Sequence, residues 1–247
     1  MLPTISIGPL VLPTTGLVYI LGAWLVLTVV ERAAKFTGAS VQPTYGVAFV
    51  GMLAGFIGAR LLFVATHWSA YVDNPLSIIW PLSSGFSPAG GLLVGGVAAL
   101  YYARWQRLPL GRTLDALLPG VIVGFMVVSL ADFLGGPGYG QETTLLWGID
   151  LFGIRRHPVQ IYELLAGLVA LAAWYFLARN RIRPGRAFLL GTAVYAAGRL
   201  LLDAFRANAP LTTGGFHIIQ IISLVIMLIC LVFLAFDTPP ETAETAE

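Results

Sequence analysis

The stretch best equipped for chemistry lies at 195–206, in the sequence YAAGRLLLDAFR. Tyr195, Arg199, Asp203 and Arg206 follow at intervals of four, four and three residues, so a helix would place all four side chains on one face. Charged side chains at membrane depth are costly, and they normally face a protein interior or a water-filled cavity. The pattern therefore indicates a site for a polar ligand. The alternative is that Arg199 and Asp203 only neutralise each other and lock a helix bundle.

A second polar group, RHPVQIYE at 156–163, precedes an apolar run. Gln160 and Glu163 lie three residues apart and would share a helix face. His157 adjoins Arg156 at the start of this helix, so we favour it over the other two histidines as a catalytic group. The guanidinium group of arginine binds phosphate through two parallel hydrogen bonds. A cavity lined by these residues would therefore suit an anionic lipid head group. The candidate head-group ligands are Arg60, Arg156, Gln160, Glu163, Arg199 and Arg206.

Two adjacent glycines, Gly90 and Gly91, stand at the start of the third apolar run. Small residues let two helices pack closely, which is one interpretation. Glycine also lets a ligand approach bare backbone, which is the other. On the second interpretation both glycines join the candidate head-group contacts.

The composition excludes several kinds of protein and site. Hydrophobic residues make up 57% of the 247 residues and charged residues 11%, against about 25% charge in soluble domains, so we expect an integral membrane protein. A net charge of +2 argues against nucleic acid as a partner. The three histidines lack metal-ligand spacing, and neither a phosphate-binding loop nor a nucleophile elbow is present. Cys230 lies in an apolar run, where a thiol ionises poorly. We expect no metal and no cofactor.

Apolar runs of about 20 residues predict transmembrane helices. We count seven, at about 14–33, 45–66, 89–104, 113–134, 158–178, 186–206 and 216–236. The fold class is thus an all-α integral membrane protein, with one domain at 1–236 and a short acidic cytoplasmic tail at 237–247. Outer segments at 67–88 and 135–157 are interpreted as lids or loops, the second with a β-hairpin around 147–152.

The distribution of Lys and Arg predicts the orientation of these spans. Nine of them follow spans one, three and five, whereas the segments on the opposite side hold only Arg155, Arg156 and Arg206. Positive residues accumulate on the cytoplasmic side. The N-terminus is therefore predicted outside and the C-terminus in the cytoplasm.

A resemblance to a known family rests on two segments. RHPVQIYE at 156–163 and YAAGRLLLDAFR at 195–206 closely resemble segments of the bacterial phosphatidylglycerol–prolipoprotein diacylglyceryl transferases. Shorter matches follow in the same order along most of the chain. They are SIGPLVLPTTGLVY at 6–19, GARLLFV at 58–64, NPL at 74–76, GGLL at 90–93, YG at 139–140 and QIIS at 220–223.

The resemblance implies a multi-pass protein of the bacterial plasma (inner) membrane, active in lipoprotein biosynthesis. It implies transfer of diacylglycerol from phosphatidylglycerol to the lipobox cysteine thiol of a prolipoprotein. The partners would be phosphatidylglycerol or another anionic phospholipid and prolipoprotein signal segments; other membrane-complex subunits would be partners under the alternative of a lapsed family member given below. The candidate catalytic residues are His157, Tyr195, Arg199 and Asp203.

Several positions depart from the family pattern. Thr15 stands where the family has a tyrosine and Asp203 where it has a glutamate, and four further departures bear on the chemistry. Ala89 stands where the family has a histidine proposed as base, Ser129 where it has an arginine, Asp132 where it has an asparagine, and Pro137 where it has a glutamate. A carboxylate at position 132 opposes the binding of phosphate. An alternative function is therefore a catalytically lapsed member that binds lipid, or serves as a subunit or scaffold of a larger membrane complex.

A third hypothesis is a transporter or channel with a polar pathway along Arg60, Asp132, Arg199 and Asp203. It is the least favoured, because the sequence shows no inverted repeat of the kind on which many transporters are built.

Overall fold

The computed structural model describes residues 4–7, 10–73, 75–78, 85–151, 153–180 and 183–236. Within these residues lie seven α-helices and two short antiparallel hairpins. The helices are α1 Thr14–Thr37, α2 Val41–Thr66, α3 Pro88–Trp105, α4 Leu110–Gly135, α5 Val159–Arg179, α6 Arg186–Leu202 and α7 Ile218–Phe236. The strands are β1 Thr4–Ile7, β2 Leu10–Pro13, β3 Ile149–Leu151 and β4 Ile154–Arg156. The predicted acidic tail at 237–247 lies outside the described residues.

Six of the described helices are long and apolar enough to cross a membrane. They are α1, α2, α4, α5, α6 and α7, where the span of α6 includes the helical turn that follows it and ends at Phe205. The chain is therefore a largely α-helical, multi-pass membrane protein. Helix α3, with 18 residues, is not among the six, so the seven-span count stays a prediction.

The described residues form two compact units, Met1–Val29 with Leu118–Glu247 and Val30–Leu117. In the second unit, α2 packs against α3 through glycines. A Cβ on Gly95 would lie 2.6 Å from the carbonyl oxygen of Gly51, so only glycine permits this approach. Helix α3 begins where the Ser87 hydroxyl accepts a hydrogen bond from the Gly90 backbone N–H, with Pro88 in the first turn.

In the first unit, α5 packs against α6, and α6 against α7. Small residues bring the first pair together: a Cβ on Gly198 would lie 2.9 Å from that of Ala166. Helix α6 ends at Leu202, and a 3-10 turn at Asp203–Phe205 continues the chain. Arg206 then adopts extended backbone angles. The span predicted at about 186–206 thus agrees with Arg186–Phe205 to one residue, although its last turn is a 3-10 turn and not α-helix.

A hairpin joins α4 to α5. Strand β3 pairs antiparallel with β4, Leu151 opposite Ile154, and Gly153 takes the left-handed conformation at the turn. The sequence predicted this hairpin a few residues earlier, around 147–152; Phe152 itself lies outside the described residues. A second hairpin pairs β1 with β2 ahead of α1, which the sequence analysis did not predict.

Candidate functional site

A buried carboxylate on α5, that of Glu163, is the centre of a polar cluster that it forms with Ser129, Arg199 and Arg206. Glu163 is 2% exposed. Its Oε1 accepts hydrogen bonds from Nη1 of Arg199 and, at 2.8 Å, from Nη2 of Arg206. Its Oε2 accepts a hydrogen bond of 2.7 Å from the Ser129 hydroxyl on α4. One carboxylate thus holds side chains from α4, α6 and the turn that follows α6.

The stripe predicted at 195–206 divides between two partners. Arg199 and Arg206 both turn to Glu163, whereas Asp203 turns away to accept a hydrogen bond of 2.9 Å at Oδ2 from His217 Nδ1. Within the part of the chain that the structure describes, Arg199 and Asp203 do not form an ion pair. The alternative in which these two residues neutralise each other was therefore wrong.

Asp203 and His217 form a pair that the sequence analysis missed. Asp203 is 1% exposed, and among the described residues its Oδ1 has no hydrogen-bond partner. His217 lies just before α7, and its side chain is 22% exposed. Fourteen residues separate the two, which is not a helical spacing, so only the tertiary fold brings them together.

The segment that follows α4 passes beside the cluster. Gly138 has φ +70°, and a Cβ added there would lie 2.9 Å from Asp132 Oδ2 and 3.4 Å from Arg206 Nη1. Gln160 Nε2 donates a hydrogen bond of 3.0 Å to the Pro137 carbonyl. Arg156 donates one of 3.3 Å to the Gly140 carbonyl. Gln160 and Arg156 therefore hold a glycine-rich segment against the carboxylate of Asp132 and the guanidinium of Arg206.

A family model described as prolipoprotein diacylglyceryl transferase matches residues 3–236. The chain belongs to this family. It is 29% identical to the phosphatidylglycerol–prolipoprotein diacylglyceryl transferase of Nocardia farcinica over 94% of its own length, but it spans only about half of that relative, 52%. It is 24% identical to the enzymes of that name from Clostridioides difficile and Enterococcus faecalis. These matches cover 85% of the chain in both cases, and 84% and 81% of those relatives.

Three of the four departures from the family pattern meet at the cluster. Ser129 donates to Glu163, Asp132 and Arg206 both border the Cβ position of Gly138, and the Pro137 carbonyl accepts from Gln160. The fourth, Ala89, is exposed in the first turn of α3, in the other unit. The departures therefore change the immediate surroundings of the retained arginines.

The other two candidate catalytic side chains have aromatic neighbours. The Tyr195 ring stacks on Phe125, with centroids 5.5 Å apart. His157 Nδ1 lies 3.4 Å from the Tyr162 hydroxyl, which also accepts a hydrogen bond of 2.8 Å from Trp147 Nε1. The catalytic roles of Tyr195 and His157 stay predictions.

Three predicted head-group ligands lie in the second unit. The Arg60 guanidinium donates to the backbone carbonyls of Ile78, at 2.9 Å, and Gly85, at 3.1 Å. Gly90 and Gly91 face α2, where added Cβ atoms would meet the side chains of Leu62 and Ala59. The arginine thus holds the segment between α2 and α3, and the glycines pack the two helices. The role of all three in head-group binding stays a prediction.

Proposed function

We propose that this chain transfers a diacylglyceryl group from a membrane glycerophospholipid to the cysteine thiol of a prolipoprotein. The observation that carries the proposal is the pair of guanidinium groups, Arg199 and Arg206, converging on one buried carboxylate in a membrane protein of this family. The relatives' names supply phosphatidylglycerol as donor and prolipoprotein as acceptor.

In this mechanism the lipid phosphate competes with Glu163 for the two guanidiniums. Guanidinium groups that can turn from a carboxylate to a phosphate would hold the phosphate while it leaves with the head group. The acceptor sulfur forms a bond to the glycerol carbon as the bond from that carbon to the phosphate oxygen breaks. Glycerol phosphate is released, and the thiol proton passes to a base.

Two histidines are candidates for that base. His157 is the one favoured by the sequence, but its Nδ1 faces the Tyr162 hydroxyl. His217 is the better placed, because a carboxylate that accepts a hydrogen bond from Nδ1–H leaves Nε2 free to take a proton. The buried Asp203 would also stabilise the imidazolium that forms, as the aspartate does in a serine-protease triad.

We further propose that the chain forms one domain at 1–236 with seven transmembrane spans in the plasma membrane of a bacterium. The N-terminus would lie outside the cell and the C-terminus in the cytoplasm. The asymmetry of Lys and Arg between the connecting segments supports this orientation. Fusing a periplasm-active reporter to each terminus tests it: activity is expected at the N-terminal fusion alone.

A lipid-binding subunit without catalytic activity is the second candidate function. The supporting observation is that Glu163 and Asp132 together balance the two positive charges of Arg199 and Arg206, so the cluster has no net positive charge to offer a phosphate. Such a protein would retain lipid and co-purify with partner subunits at fixed stoichiometry, but it would form no thioether.

The deciding experiment uses the purified full-length chain in lipid nanodiscs. Incubation with phosphatidylglycerol and a lipobox peptide should add a diacylglyceryl group to the peptide cysteine, detected by mass spectrometry. Arg199→Gln should abolish the product, and Arg155→Gln, at an arginine of β4 whose side chain is 46% exposed, is the matched control. Failure to form product with every phospholipid supplied would refute the transferase and favour the lipid-binding subunit.

A further inference from the structure

The turn that precedes β3 exposes apolar side chains that the transfer mechanism does not use. Leu146 is 90% exposed and Trp147 is 61% exposed. The backbone of the turn is fixed, because the Gly148 N–H donates a hydrogen bond of 3.0 Å to the Leu145 carbonyl. The indole N–H of Trp147 donates a hydrogen bond of 2.8 Å to the hydroxyl of Tyr162, near the start of α5. An exposed leucine and an exposed tryptophan are thus held beside the first residues of a helix that can cross a membrane.

The hydrogen bond to Tyr162 sets the depth of this turn along α5. Helix α5 has 21 residues and is about 32 Å long at about 1.5 Å per residue, close to the ~30 Å hydrocarbon core of a bilayer. Its first residues therefore lie near the boundary between the acyl chains and the head groups. Tryptophan concentrates at this boundary, because its ring is apolar and its N–H is polar.

The exposed surface of α5 next to this turn is apolar. Tyr162, Leu165 and Val169 follow at intervals of three and four residues, so they share one helix face. Leu165 is 55% exposed and Val169 is 60% exposed. On a membrane-spanning helix an exposed apolar face of this kind contacts acyl chains. Because Trp147 is bonded to the first residue of this face, the surface that continues it onto the turn is in contact with lipid as well.

We propose that the turn at 145–147 is an interfacial anchor. Leu146 and Trp147 insert between the lipid head groups of the leaflet in which α5 begins. The indole N–H keeps its hydrogen bond to Tyr162, so its insertion buries no unpaired donor. The inference uses the membrane-spanning length of α5 and not the transfer chemistry, so each can fail without the other.

Backbone pairing joins the anchor to the arginines of the outer segments. The segment at 139–143 pairs antiparallel with Arg156 of β4 on one side and with Arg206 on the other. Thr143 ends this segment, and its hydroxyl accepts a hydrogen bond of 3.2 Å from the Leu145 backbone N–H, at the start of the turn. The anchor therefore holds the backbone that carries both arginines at the depth of the lipid head groups.

The test measures the depth of single spin labels on the full-length protein in phosphatidylcholine nanodiscs. Labels are attached to Leu146→Cys, to Leu165→Cys as the lipid reference and to Asp150→Cys as the water reference, where the native side chain is 77% exposed. Cys230 is buried, and the wild type reports any labelling of it. Power saturation compares collisions with oxygen, which concentrates among acyl chains, and with a water-soluble nickel chelate. The oxygen-to-nickel ratio should rise in the order 150, 146, 165, with the value at 146 several-fold above that at 150.

Each other result at position 146 would overturn the inference. A ratio equal to that at position 150 would place the turn in water. Few collisions with either reagent would show that protein covers the turn, as expected of a docking surface for another chain. In Leu146→Cys/Trp147→Ser the ratio should fall towards the value at 150, and an unchanged ratio would remove Trp147 from the anchor. Because Leu146 is exposed, Leu146→Cys leaves the packing intact, and none of these measurements depends on thioether formation.

Discussion

Glu163→Gln is the perturbation that tests the cluster most directly. The substitution keeps the shape of the side chain but removes the negative charge that compensates two guanidiniums. The Glu163 side chain is 1% exposed, and those of Arg199 and Arg206 are 19% and 18% exposed. Removing one partner of a buried ion pair costs about 3–5 kcal/mol. Because the arginines retain some solvent, we expect the low end, about 3 kcal/mol.

That loss should appear as a lower melting temperature. For a domain of this size 1 kcal/mol corresponds to about 2–4 °C, so Glu163→Gln should melt about 6–12 °C below the wild type. The assay is thermal unfolding in nanodiscs of uncharged lipid, followed by circular dichroism. Glu142→Gln is the control: Glu142 is 67% exposed and lies 3.8 Å from Arg156, and a long ion pair with a solvent-exposed carboxylate contributes about 1 kcal/mol at most.

Two further measurements separate charge compensation from a packing effect. In the double variant Glu163→Gln/Arg206→Gln the two losses should be less than additive, with a coupling of about 1–3 kcal/mol. Anionic lipid should stabilise Glu163→Gln more than it stabilises the wild type, because its phosphate can replace the missing carboxylate. Additive losses, or a melting temperature equal to that of Glu142→Gln, would refute the view that Glu163 compensates these arginines.

Three other substitutions test the helix packing, the segment after α4 and the proposed base. Gly95→Ala should destabilise the α2–α3 pair by about 1–3 kcal/mol, whereas Gly96→Ala, with nothing within 4 Å of the added Cβ, should be neutral or slightly stabilising in the same unfolding assay. Gly138→Ala should weaken lipid binding more than Gly153→Ala, because both have positive φ but only position 138 is crowded by the cluster. His217→Gln should slow thioether formation by about 10²–10⁴ without changing lipid retention, measured by mass spectrometry; an unchanged rate would exclude it as the base.

Much of the fold follows from local features of the sequence. Apolar runs of span length predicted all seven helices to within a few residues at most ends, because an α-helix satisfies its backbone polar groups within one continuous apolar segment in lipid. Three helix ends differ from the prediction by four residues: the end of α1, the start of α2 and the end of α6. The spacing from Tyr195 to Arg206 fits a continuous helix, but the chain turns at Asp203, where the backbone bonds of the 3-10 turn replace those of the helix.

The pairing of charges could not be predicted in the same way. Glu163 and Arg199 were both candidates, yet nothing local indicates that Arg199 reaches α5 and leaves Asp203 for a histidine of another element. The relevant distances depend on how α5, α6 and α7 pack, and that packing is set by small residues such as Gly198. Patterns along one helix identify which side chains share a face, but not what that face meets.

Ser129 and Asp132 change what the two arginines can bind. The family resemblance implies an arginine and an asparagine at these positions, and with them the cluster would carry two more units of positive charge than it does. In this chain a hydroxyl donates to Glu163 where a guanidinium is implied, and the Asp132 carboxylate lies beside Gly138 and Arg206. The two departures act in the same direction, so restoring either residue alone should recover only part of the affinity for an anionic lipid phosphate.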